Sequence, residues 1–124
     1  MKRILIVDDE TSILQVLACV LRHQGYDVAT ATSCEEGLDR LVDDEFDLAI
    51  CDVRLGRGMD GLEFARTLRR LFNAPKVVLI TAYGTAESFA QARGEGVADY
   101  ILKPFNMDTI VSTVRRVLAQ EVEA

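Results

Sequence analysis

Four short stretches end on residues able to do chemistry. Asp8, Asp9 and Glu10 close "ILIVDDE", Asp52 closes "LAICD", Thr81 follows "VVLI", and Lys103 follows "DYIL". Taken singly each has a plain role, since an Asp after a strand is usually a turn former or helix cap. Taken together, Asp8, Asp9 and Asp52 with one hydroxyl and one ammonium would form a small reactive site. Carboxylates this close repel one another unless a cation gathers among them. A hard divalent ion fits: Mg²⁺ takes oxygen ligands, keeps several waters and commonly uses one or two carboxylates plus a phosphate oxygen, and Mn²⁺ can substitute. With the acids neutralised, Asp52 becomes a nucleophile toward phosphorus, Lys103 balances phosphoryl charge, and the Thr81 hydroxyl donates to a phosphoryl oxygen.

Zinc suits the chain poorly, because Cys51 is the one His or Cys beside these strand ends. Cys51 precedes Asp52 and is expected to point the opposite way, into the core, as a small buried thiol. His23, in "LRHQG", falls toward the opposite edge and reads as a surface residue.

The elements that must position these residues alternate along the chain. Apolar runs at Ile4–Val7, Val28–Ala31, Leu48–Cys51, Val77–Ile80 and Ala98–Leu102 are near-continuous, as in strands covered on both faces. Between them, Ile13, Val16, Leu17, Val20 and Leu21 keep helical spacing up to Gly25. Ser33 with Glu36 has the signature of a capping box, ahead of Leu38, Leu41 and Val42. A third helix opens near Asp60, with Glu63 three residues on, and buries Leu62, Ala65 and Leu68. A fourth, around Ala86–Arg93, has Phe89 as its only large apolar residue and should be the least firmly anchored. A last helix follows Asn106 and aligns Ile110, Val114, Val117 and Leu118. Strand then helix, five times over, predicts a doubly wound parallel α/β sheet. Ligands of such sheets bind at the carboxyl ends of the strands, where all the residues above fall.

Length and composition fit that reading. The 124 residues are expected to make one domain, 1–124, with a real core. A net charge of −6 argues against direct nucleic-acid or anionic-membrane binding. Arg66, Arg69 and Arg70 read as a solvated helix face. The apolar run near the N-terminus is too short for a signal peptide or membrane span. Cys19, Cys34 and Cys51 include no C-x-x-C, so a reduced, cytoplasmic setting without a disulfide framework is expected.

In "ILIVDDE", "LAICD", "VLITA" and "DYILKPF" the chain resembles the receiver domain of bacterial two-component response regulators. The motifs stand in the family's order and cover nearly the whole chain. The resemblance implies a flavodoxin-like three-layer sandwich with strand order 2-1-3-4-5. It also implies Asp52 as phosphoacceptor, with a sensor histidine kinase or phosphotransfer protein as donor. Mg²⁺ would be held directly by Asp9 and Asp52, largely through water by Asp8, and by the backbone carbonyl of Arg54. Thr81 and Tyr100 would be the switch pair, and Lys103–Pro104 a cis peptide. The domain would act as a phosphorylation switch with self-phosphorylation and autodephosphorylation only, rather than as an enzyme. Its readout would be an effector protein or a fused output domain, and the resemblance admits a phosphorylation-dependent homodimer.

One stretch departs from the family pattern. Where Met-Pro usually follows the phosphoacceptor, "DVRLGRGMDG" has Leu55-Gly56 and is one residue longer. Losing proline and gaining Gly58 should loosen the loop from Leu55 to Gly61. Arg54 and Tyr83, each two residues beyond a site residue, are expected to border the phosphoryl group and slow its loss. On phosphorylation, Thr81 is drawn in, Tyr100 turns inward, and the surface including Glu87, Tyr100 and the segment from Asn106 changes its binding.

Two rivals share the architecture. An FMN binder needs a Gly/Ser/Thr-rich loop after the first strand, where this chain has Asp-Asp-Glu. A phosphatase or phosphotransferase with an aspartyl nucleophile usually has a second acid two residues on, where this chain has Arg54.

Overall fold

Five parallel strands, β1 (Arg3–Val7), β2 (Asp27–Ala31), β3 (Leu48–Asp52), β4 (Lys76–Thr81) and β5 (Asp99–Leu102), alternate with five helices. The helices are α1 (Thr11–His23), α2 (Cys34–Asp43), α3 (Gly61–Arg69), α4 (Ala86–Gly94) and α5 (Met107–Ala119). The computed structural model describes residues 1–54, 58–82 and 86–119, apart from the side chains of 86–88. Tyr83, Leu55-Gly56 and the Glu87 side chain therefore lie outside the described residues.

The sheet order is β2-β1-β3-β4-β5. Strand alternation splits the core in two, because successive side chains point to opposite faces. On one face Ile4, Ile6, Leu48, Ile50, Val78, Ile80 and Ile101 pack with α1 and α5. On the other, Leu5, Val7, Ala49, Cys51, Val77 and Leu79 pack with residues of α2, α3 and α4. No described helix is long and apolar enough to cross a membrane.

The caps explain where the helices start. Ser33 accepts the Glu36 amide at 3.0 Å, while the Glu36 carboxylate reaches back to the Thr32 amide, one residue before the position a strict capping box uses. Asp60 and Glu63 make the full reciprocal box at α3. Asn106 caps α5 by accepting the Thr109 amide at 2.8 Å.

Several expected core positions differ, among them Ala98 and Leu102 of the last apolar run, which are exposed at the edge strand. Leu14, Leu17, Ala18 and Leu21 form the buried stripe of α1, and Val16 is 49% exposed. Apolar residues run most of the way round this helix, so docking rather than pattern selects the buried face. Val42, in the last turn of α2, is 82% exposed. The fourth helix buries Ala92 fully and leaves Phe89 half-buried.

Candidate functional site

Sheet register assembles the site. Val7 pairs with Cys51, Asp52 with Ile80, and Thr81 with Leu102. Asp8 and Asp52 therefore follow Val7 and Cys51 at one level of two adjacent strands, and with the same facing. Cys51 points to the opposite face, fully buried, as its alternation with Asp52 requires.

Both carboxylates are enclosed, Asp8 being 2% and Asp52 5% exposed. Asp8 accepts the Glu10 amide at 2.9 Å. Asp52 accepts the Arg54 amide on Oδ1 at 2.9 Å and the Lys103 ammonium on Oδ2 at 2.5 Å. Lys103 stands just past β5 and also lies 3.9 Å from Glu10. Its amide donates to the Thr81 carbonyl at 2.7 Å, which ties the lysine to the end of β4. The Lys103–Pro104 peptide is cis.

The electrostatics are unbalanced. Burial first, and then the charge of Asp52, push Asp8 up to about 6 against the downward pull of the Glu10 amide and Lys103. For Lys103, burial alone would lower the pKa. The hydrogen bond and charge of Asp52, with Asp8 and Glu10 behind it, more than offset burial and leave it raised. One ammonium thus faces two enclosed carboxylates and Glu10, so the notch has room for further positive charge.

A divalent ion fits this donor set. Among the described residues no three His, Cys, Asp or Glu side chains form a ready-made metal cage. Two enclosed carboxylates, with Asp9 exposed beside them, instead suit a cation that keeps much of its water, which is the habit of Mg²⁺.

The remaining predicted residues are placed as follows. Thr81 ends β4 and is 2% exposed. Tyr100, on β5, is half-buried on the α3–α4 side and meets Phe89 edge-on, with ring centroids 4.5 Å apart. These rings, with Ala92, Arg93, Val97 and Asp99, line a cavity of about 90 Å³. Arg54 is exposed. His23 is exposed at the end of α1, away from the site.

Sequence reasoning missed two contacts. Cys34 and Cys51 sit side by side in the core with their sulfurs 3.9 Å apart. Glu35 accepts the Met59 amide from across the β3–α3 connection at 3.1 Å.

Residues 4–115 match the family model described as response regulator receiver domain. The chain is 37% identical over 116 residues to the transcriptional regulatory protein ZraR of Escherichia coli (strain K12), covering 94% of this chain and 26% of that protein. It thus spans about a quarter of the length of that curated relative. Among solved structures it is similar to a CheY-like response regulator receiver domain protein from Methanospirillum hungatei JF-1. The TM-score is 0.89 at 32% identity, with 97% of this chain and 95% of that one covered. Similarity extends to the response regulator TrrA from Thermotoga maritima, solved in complex with Mg²⁺–BeF. There the TM-score is 0.83 at 35% identity, with 94% and 99% covered.

Proposed function

Because the chain belongs to the response regulator receiver domain family, a signalling domain of two-component systems, we propose that it is a switch thrown by phosphorylation of Asp52. The observation that carries this reading is the enclosed Asp52 carboxylate, paired with Lys103 at 2.5 Å, beside a second enclosed carboxylate at the carboxyl edge of the sheet.

An Asp52 oxygen attacks phosphorus of a phosphohistidine on a kinase or phosphotransfer partner, or of a small acyl phosphate. The new P–O bond forms as the P–N or P–O bond to the leaving group breaks, and the leaving group departs with the electron pair. Asp9, Asp52 and the Arg54 carbonyl, with Asp8 largely through water, would hold Mg²⁺, and its charge would let the anionic nucleophile and anionic donor meet. Lys103 moves its hydrogen bond from the free carboxylate to the phosphoryl group, and Thr81 donates its hydroxyl to another phosphoryl oxygen. Hydrolysis of the acyl phosphate resets the domain, and Arg54 with Tyr83 slows that step. Equal lifetimes in wild type and an Arg54→Ala, Tyr83→Ala variant would count against the last point.

The output is a population shift. Thr81 moves toward the phosphoryl group, Tyr100 turns inward from Phe89, and the surface of α4, β5 and α5 changes its affinity for an effector, an attached output domain or a second copy.

Incubation with Mg²⁺ or Mn²⁺ and acetyl phosphate should add about 80 daltons, one phosphoryl group. Asp52→Asn should add nothing. An unmodified wild type under these conditions would sink the proposal.

A further inference from the structure

The β3–α3 connection carries Gly56 and Gly58 and leads into Gly61 at the start of α3, and such a chain is costly in entropy to hold in one path. Its described end is nevertheless gripped from outside. Glu35 Oε2, in the first turn of α2, accepts the Met59 amide at 3.1 Å. Gly58 has φ 79°, and a Cβ there would stand 2.8 Å from Glu35 Oε2. The left-handed backbone favours glycine here, and a Cβ would also push the Glu35 carboxylate aside. One residue earlier on α2, the Cys34 thiol donates to the Asp60 carbonyl at 3.6 Å. Two consecutive residues of α2 therefore hold Gly58, Met59 and Asp60.

From that grip the contacts run on to the phosphoacceptor without a gap. Asp60 caps α3 by accepting the Glu63 amide at 2.8 Å. Gly61 donates its amide to the Val53 carbonyl at 3.0 Å. A Cβ on Gly61 would lie 2.6 Å from the Asp52 carbonyl oxygen and 2.8 Å from Val53 Cα, so the start of α3 abuts the Asp52 backbone with no slack. Backbone atoms do not yield as a flexible side chain would. A shift at Met59 is therefore passed to Asp52.

We propose that Glu35 is a positioning residue for phosphorylation: by accepting the Met59 amide it seats the N-terminus of α3 against the backbone of Asp52 and aligns the nucleophile. This inference rests on Asp52 being the phosphoacceptor. Glu35 touches neither substrate nor reacting atoms and acts only through Met59, Asp60 and Gly61.

The test compares wild type, Glu35→Ala, Glu35→Gln and Gly58→Ala for the rate of phosphorylation by acetyl phosphate at saturating Mg²⁺. Misplacing a reacting group by about an ångström costs up to roughly 10²-fold, so a partial loosening should cost about five- to tenfold. Glu35→Ala should lose that much in maximal rate, with the acetyl phosphate concentration for half-maximal rate unchanged. Glu35→Gln keeps an oxygen that accepts the same amide and should return to within about twofold of wild type. Gly58→Ala pushes the carboxylate away from the other side and should reproduce the defect, which keeps the idea testable if Glu35→Ala folds poorly. A Glu35→Ala protein as fast as wild type overturns the proposal. So does a Glu35→Gln protein as slow as Glu35→Ala, because charge rather than the hydrogen bond would then be at work. If wild type itself accepts no phosphoryl group, the reading of Asp52 falls and takes this inference with it. A wild type that is phosphorylated, beside indifferent variants, removes Glu35 alone.

Discussion

Lys103 Nζ lies 2.5 Å from Asp52 Oδ2, although the two residues are 51 positions apart and their strands are separated by β4. The lysine reaches across the end of an intervening strand to meet the carboxylate. Asp52 is almost wholly enclosed and Lys103 only partly exposed, so water screens the pair poorly.

Breaking this pair from one side should therefore be costly. Lys103→Met takes the ammonium away from Asp52, which keeps the Arg54 amide on Oδ1, and should lower stability at neutral pH by about 1–3 kcal/mol. Adding Asp52→Asn should recover most of the loss, since the orphaned charge is then gone. Urea unfolding of the two singles and the double gives the coupling directly. Strict additivity would mean that the pair has no energetic content.

Asp8 supplies the pH dependence. With its folded pKa raised to about 6, the native state holds the proton more tightly than the unfolded chain does. The stability this group contributes is fully present below the ordinary carboxylate range near 4 and is lost as pH climbs through 6. In chelator at pH 7.5, Asp8→Asn should be more stable than wild type by about 2 kcal/mol, an advantage that shrinks toward pH 4. Saturating Mg²⁺ should narrow the gap by stabilising the wild type. An Asn variant no more stable than wild type at pH 7.5 would mean that Asp8 carries no buried charge.

Cysteine accessibility checks the core side of the same strand. Cys19 is exposed, whereas Cys34 and Cys51 are buried. The hydrogen bond with Cys34, followed by burial, holds the Cys51 thiol protonated well above its usual range. A thiol reagent should titrate one group rapidly in the native protein and three in denaturant. Rapid reaction of all three without unfolding would contradict the packing of α2 on β3.

The contact between Phe89 and Tyr100 reports the switch. When beryllofluoride and Mg²⁺ occupy the site, Tyr100 should leave the edge of Phe89 and turn inward. The fourth helix, whose described side chains include one fully buried residue, Ala92, should then exchange its amides faster. Hydrogen exchange across residues 86–102 measures this, with Asp52→Asn as the insensitive control. Unchanged or slower exchange in wild type would remove Tyr100 and α4 from the mechanism.

Much of the site is legible in one dimension because a parallel α/β sheet is locally encoded. Each strand is a short, mostly apolar run that ends on a polar residue or is followed directly by one, so Asp8, Asp52, Thr81 and Lys103 fall on one edge once the elements alternate. The caps at Ser33, Asp60 and Asn106 are equally local, since each bonds to an amide three residues on. The buried face of α1 is not, because Val16 and Leu14 both satisfy the apolar pattern and only docking against the sheet leaves Val16 exposed.

Residue order alone thus determined the element sequence, the strand ends and the chemical types gathered there, because hydrophobic periodicity and capping act over a few residues. Tertiary structure decided which partners meet: Lys103 with Asp52 across β4, Cys34 with Cys51 inside the core, and Glu35 with Met59 over the glycine-rich connection. Those contacts depend on strand order, register and the seating of helices. These are set by burying two faces of one sheet at once, and no short window of sequence contains that constraint.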